Sequence, residues 1–293
     1  MSIQTSPLVV TEIGVYDGIP AEDYHKDPVP GGSLSSTGLK VLAKPAGGAK
    51  FKAWRDGPIR TSKAFNFGHA AHKEVLGEGA PMQVFPAYDA RTKEGKVIRA
   101  EVQEAIAGGT IAVTEDELTK VKAMVAEIRR HPLASALLDP EDGKSEQAMF
   151  WRDWKSGLWC RSMVDRLREP SNGRLILADY KTADSAEEEK FSKAAWSYGY
   201  SQQADHYSTG ALELGLADDV PFVFIVQEKE PPFLVNVIQL DDNAMKIGAH
   251  LNRKAIDLYA ECVETNTWPG YPEDVSVISL PPYIESRFSE EIA

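Results

Sequence analysis

Two alternating runs, "EQAMFWRDW" (146–154) and "LWCRSMVDRLRE" (158–169), flank a short "KSG" turn and restrict the fold more than any other feature. Successive strand side chains point to opposite faces, so two period-two runs around a polar turn predict an antiparallel hairpin. "GRLILADYKT" follows and predicts a third strand. A helical stretch from about Ala186 to Leu214 comes next. "PFVFIVQEKE" and "FLVNVIQL" then read as two strands linked by Pro231-Pro232, and a helix runs from about Asp241 to Thr265. Strands interleaved with helices predict a mixed α/β core.

The preceding half reads as helices. Residues 1–32 form an extended, turn-rich segment ending in "KDPVPGG". Ser33, Ser35 and Ser36 are N-cap candidates for a helix over "TGLKVLAK", stopped by Pro45 and Gly47-Gly48. A second helix spans about Ser62 to Leu76, and a third follows the basic "DARTKEGK" and stops at Gly108-Gly109. Thr114 and Glu117 stand in capping-box spacing ahead of a helix with Leu118, Val121, Val125 and Ile128 on one face, limited by Pro132. The expected division is a mainly helical N-terminal region, 1–140, including the first core helix (about 62–76). Residues 141–293 would hold the sheet core and C-terminal helix, the whole making one compact domain.

Composition removes several classes. Cys160 and Cys262 are the sole cysteines, too few for a zinc ribbon, a four-thiolate cluster or a disulfide framework, and in keeping with a reducing cytoplasmic location. The first residues lack a basic segment followed by an apolar one, so no secretory signal is expected, and no apolar run reaches the ~18 residues of a bilayer span. The net charge of −12 argues against indiscriminate polyanion binding, although it permits a local basic channel.

Within "LILADYKTAD" the buried strand carries Asp179 and Lys181 two residues apart. On a strand they share one face, roughly 6.5–7 Å apart along it. A carboxylate there can hold a hard cation, and an ammonium can orient water or neutralise a phosphoryl oxygen. Asp165, on the preceding strand, can converge on the same ion. The plain alternative is a surface ion pair at a strand end.

Taken in order, these pieces resemble the PD-(D/E)XK nuclease superfamily, and more narrowly the RecE-type (exodeoxyribonuclease VIII) phage exonucleases. The motifs are "GVYDGIPAEDYHKDP", "LSSTGLKVLAKPAGGAKFKAW", "FNFGHAAHKEVL", "ARTKEGK", "MFWRDWKSGLWCRSMVDRL", "ADYKTAD" and "SYGYSQQADHYSTG", and the likeness spans about Gly14 to Pro282. Ala183 departs from it, standing where a second Thr is usual.

The resemblance implies a restriction-endonuclease-like core, a central mixed β-sheet flanked by helices. It implies His72, Asp165 and Asp179 as metal ligands, with Lys181, Asp179, Asp165, Gln203 and Tyr207 as the catalytic set. It further implies Mg2+, with Mn2+ able to substitute, and 5′→3′ digestion of linear double-stranded DNA in a phage or prophage setting. A ring-like homo-oligomer and a RecT-like single-strand annealing protein complete the picture.

Glu146 is a candidate additional acidic group; a solvated strand-start glutamate is the other reading. Arg91, Lys93 and Lys96 form a basic loop that could bind phosphate, or simply face solvent. His69, three residues before His72, leaves a His-x-x-His zinc pair open, although a third ligand of matching spacing is missing. Whether burial or the neighbouring carboxylates dominate the Lys181 pKa is open at this level. Other PD-(D/E)XK endonucleases and a non-catalytic DNA-end scaffold remain as competing functions.

Overall fold

The computed structural model describes residues 8–57, 63–168, 174–289 and 291. Ser62, the expected start of a helix, and Glu169 and Gly173, expected at strand ends, lie outside these. The first half runs β1 (Gly14–Tyr16), α1 (Ala21–His25), β2 (Leu34–Ser35), α2 (Ser36–Leu42), α3 (Gly47–Arg55), α4 (Lys63–Leu76), β3 (Met82–Phe85), α5 (Lys93–Ala107), β4 (Ile111–Thr114), α6 (Glu115–Arg130) and α7 (Pro132–Leu137). The second half runs β5 (Gly143–Arg152), β6 (Trp159–Arg168), β7 (Ile176–Ala183), α8 (Glu188–Tyr198), α9 (Tyr200–Glu213), β8 (Phe222–Glu228), β9 (Val235–Ile238), α10 (Asp242–Thr265) and α11 (Pro282–Phe288).

The main sheet has the order β1-β5-β6-β7-β8-β9, and β2 adds to β6 as a seventh strand. All pairs along the path are antiparallel except β7–β8, so the sheet is mixed, as expected. The α8–α9 stretch supplies the crossover that a parallel pair needs. Both faces are covered. Leu177, Phe222, Phe224 and Val226 pack with α2, α8, α9 and α10 residues, while Ala178, Tyr180 and Ile225 pack with α4, α6 and α7 residues. Double burial explains why β7 reads as an apolar run rather than an alternating one.

The hairpin stands with its turn at 153–158. Trp151 and Trp159 are buried on its arms, and Trp154 is exposed in the turn. The capping box at Thr114 and Glu117 is present in full, and Met124 joins the expected buried stripe.

Three expectations change. Gly47 and Gly48 open α3 instead of only closing the helix before it. A Cβ on Gly47 would lie 1.9 Å from the Leu42 carbonyl oxygen, so the chain reverses more tightly there than a side chain permits. The single helix over 186–214 is two, α8 and α9, separated by Gly199 in the left-handed conformation (φ 65°). The basic loop is only partly loop. Thr92 caps α5, so Lys93 and Lys96 stand in its first turn.

One interruption positions everything that follows. Along one edge β6 pairs with β2 at Cys160–Arg161 and with β7 from Arg166 onward. Residues 162–165 have no strand beside them on that edge among the described residues. The sheet is open at that point.

Candidate active site

Register explains how three carboxylates come to lie in a row. Carrying the β5–β6 register through its one unpaired position puts Glu146 opposite Asp165. Carrying the β6–β7 register one step past Arg166–Ala178 puts Asp165 opposite Asp179. Like charges directly opposite each other are unfavourable and need nearby cations. They have two: His72 from α4 and Lys181 from β7.

His72 Nε2 lies 3.0 Å from Asp165 Oδ2, and its Nδ1 lies 3.4 Å from Glu146 Oε1. Asp165 Oδ2 also accepts the Tyr180 backbone N–H at 2.9 Å, the amide that the open ladder leaves without a strand partner. Glu146 holds a left-handed backbone (φ 51°), costly for a residue with a side chain and frequent at functional sites. One ligand atom each from His72, Glu146 and Asp165 fall within 4.8 Å of one another. An imidazole nitrogen with two carboxylates, all half-buried, is a donor set that suits a divalent cation.

Alternation along β7 places Asp179 with Leu177, toward α9. Its Oδ1 accepts from Gln203 Nε2 at 2.6 Å, and its Oδ2 lies 2.6 Å from Lys181 Nζ. That oxygen is buried, with the Lys181 ammonium as its close partner.

The charges balance unevenly. Burial would pull His72 down, but Asp165 and Glu146 outweigh it and hold the imidazole up to about 9. Burial would raise Asp165, and the His72 charge, Lys181 and the Tyr180 amide keep it low. Asp179 is pushed up to about 6, by burial first and then by Asp165, against the pull of Lys181. Burial favours a neutral Lys181, yet Asp179 and Asp165 raise its pKa overall. The carboxylates therefore win the contest left open at Lys181. It is a cation and a donor, not a ready base.

A family model matches residues 35–281 and is described as a PDDEXK-like domain of unknown function (DUF3799). The chain belongs to this family. No curated protein matches it. Among solved structures it is similar to a protein from Eubacterium rectale provisionally described as an exonuclease, at 14% identity and TM-score 0.54, over 91% of this chain and 95% of that one. That likeness is one of fold. A second structure, SSO0001, aligns at TM-score 0.28 and 16% identity over 70% of this chain and 87% of that one, too distant to bear on the site.

Within this PDDEXK-like domain the expected residues separate into two groups. His72 and Asp165 come together, and Glu146 lies with them. Asp179, expected beside them, lies outside that group and is held by Lys181 and Gln203. His69 is exposed and outside it as well. Tyr207 is buried against Phe222 (ring centroids 5.8 Å), and its hydroxyl meets the Met163 backbone in the open part of β6. A Cβ on Gly68 would meet Thr182 Oγ1 at an ordinary 3.6 Å, so no steric demand for glycine shows there.

The basic cluster lies at the surface. The Arg91 side chain is exposed and engaged with Asp89 through Nε and Nη2, both at 3.0 Å, and Lys93 and Lys96 face solvent. One cation was missed. Lys40 on α2 is drawn down to about 8, by burial first and then by the charge of Lys181, while Asp179 opposes. Nothing in "TGLKVLAK" marks that lysine, because its surroundings come from α9 and β7.

Proposed function

We propose that this chain is a divalent-metal-dependent nuclease, and specifically an exonuclease of linear double-stranded DNA acting 5′→3′. The convergence of His72, Glu146 and Asp165 within 4.8 Å, beside the Lys181–Asp179 pair, carries the reading. The triad would hold the ion. A bound divalent ion would activate water and neutralise charge on a phosphoryl group.

The protein's own groups do the rest. Lys181, kept charged by its carboxylates, would donate to a phosphate oxygen and stabilise the charge that builds on it. Gln203 fixes the Asp179 carboxylate, and through it the position of Lys181. The Tyr200 ring, 5.5 Å from Lys181 Nζ, supports the ammonium from a second side. Tyr207 fills the gap in the sheet and keeps the β6 backbone in place.

On this reading Mg2+ is the working ion, with Mn2+ as substitute. The product is 3′ single-stranded DNA, suited to a RecT-like annealing partner, and the particle is a ring-like homo-oligomer. An endonuclease of the same superfamily is the competing reading.

Digestion of linear duplex, closed circular duplex and single strands with Mg2+ or EDTA separates them. Mg2+-dependent loss of linear duplex alone supports the exonuclease, and cutting of closed circles favours the endonuclease. No cleavage of any substrate would overturn the enzymatic reading.

A further inference from the structure

Lys40 belongs to α2, outside the metal-holding group, yet its side chain enters the same region. Its stem packs on Gly199, where an added Cβ would meet Lys40 Cγ at 3.0 Å and Cδ at 3.2 Å. The left-handed glycine that splits α8 from α9 therefore leaves the channel through which this lysine passes. Its Nζ lies 5.8 Å from the Tyr200 ring centroid, and Lys181 Nζ lies 5.5 Å from the same centroid. Two ammoniums share one aromatic ring.

Their anions are not shared equally. Asp179 touches Lys181 at 2.6 Å and acts on Lys40 only through space. Among the described residues Lys40 Nζ has no hydrogen bond and no ion pair. A half-buried ammonium with an aromatic face as its one contact leaves room for an anion. Its head lies beside the Tyr200 ring and within reach of the Lys181 charge.

We propose that Lys40 and Lys181, which share the Tyr200 ring, form a subsite for the phosphate backbone of the bound nucleic-acid strand. A phosphodiester anion there would supply the partner Lys40 lacks and bring the strand to Lys181, the group that meets the reacting phosphate. The subsite rests on the nuclease reading above, and it adds a strand-positioning role for a residue outside the carboxylate cluster.

Fluorescence anisotropy with a labelled oligonucleotide in EDTA, where metal-dependent turnover stops, tests this between 50 and 300 mM KCl. Lys40→Met keeps the aliphatic stem and removes the charge; Lys40→Arg keeps the charge. Removing a single lysine–phosphate interaction should reduce the slope of log Kd against log salt by about 0.7 on a single strand or 0.9 on a duplex. The expected result is that reduction in Lys40→Met, with the slope kept in Lys40→Arg and both melting like wild type.

An unchanged slope in Lys40→Met overturns the subsite, and so does a weaker Kd with unchanged slope and a lowered Tm, which marks a packing role. A wild-type protein that neither binds nor cuts nucleic acid removes the nuclease reading itself. A wild type that cuts normally beside an indifferent Lys40→Met removes the subsite alone.

Discussion

Two histidines on either side of β6 are treated in opposite ways. His72 faces Asp165 and Glu146 and is held charged. His206, on α9, is fully enclosed; its Nε2 donates to the Arg161 carbonyl at 3.1 Å, and its ring meets Trp151 at 4.7 Å. With no carboxylate beside it among the described residues, burial pulls its pKa to about 4 and keeps it neutral. The same side chain serves as half of an ion cluster in one place and as a satisfied core residue in the other. Burial pulls both imidazoles down, and the carboxylates beside His72 reverse the direction there.

The largest expected effect breaks this contrast at the carboxylate. Asp165→Asn should lower Mg2+-dependent cleavage on the order of 10³-fold or more, since it removes a ligand charge at the reacting centre. His206→Gln should leave kcat within a few-fold of wild type. Equal losses in both variants would mean that the two histidines belong to one functional unit.

The next effect is on stability, measured by urea unfolding of metal-free protein across pH. The His206 pKa is depressed in the folded state, so its contribution is present above the ordinary value near 6.5 and is lost as pH falls toward 4. A shift of that size corresponds to about 3 kcal/mol. His72 has the reverse sign, because its folded pKa is raised. Its contribution is present below about 6.5 and is lost as pH rises through about 9. His206→Gln should flatten the acid limb and His72→Gln the alkaline limb. Any crossing of these effects would show that the charge states are misassigned.

The smallest effect sharpens the carboxylate side. Glu146→Gln should weaken metal affinity by about tenfold in calorimetric titration, the scale seen for loss of a supporting ligand. An affinity indifferent to Glu146 but sensitive to Asp179→Asn would restore Asp179 to the ligand set in its place.

The sheet and most helices were legible because their signals are local: alternation around "KSG", a capping box at Thr114, glycines after α5. The short strands β3 and β4 were not. Each is a four-residue strand, and they pair with each other in parallel across an intervening helix. Gly199 was hidden by helical periodicity running on both sides of it. At the site, His72, Asp165, Lys181 and Gln203 came from motif order. Glu146 gained its place only from the cross-strand register, which a sequence displays once the turn length is fixed. Lys40 is invisible to any one-dimensional reading, since α2, α9 and β7 meet around it through tertiary packing alone.

The break in the β6 ladder also governs how substitutions here can be interpreted. Asp165 serves as the stand-in partner for the Tyr180 amide, so a methyl group in its place would leave a buried N–H unanswered. An alanine scan across this opening would report collapsed backbone and impaired chemistry as one number. Isosteric amides, which still accept that proton while discarding the charge, are the substitutions that tell scaffold from reaction.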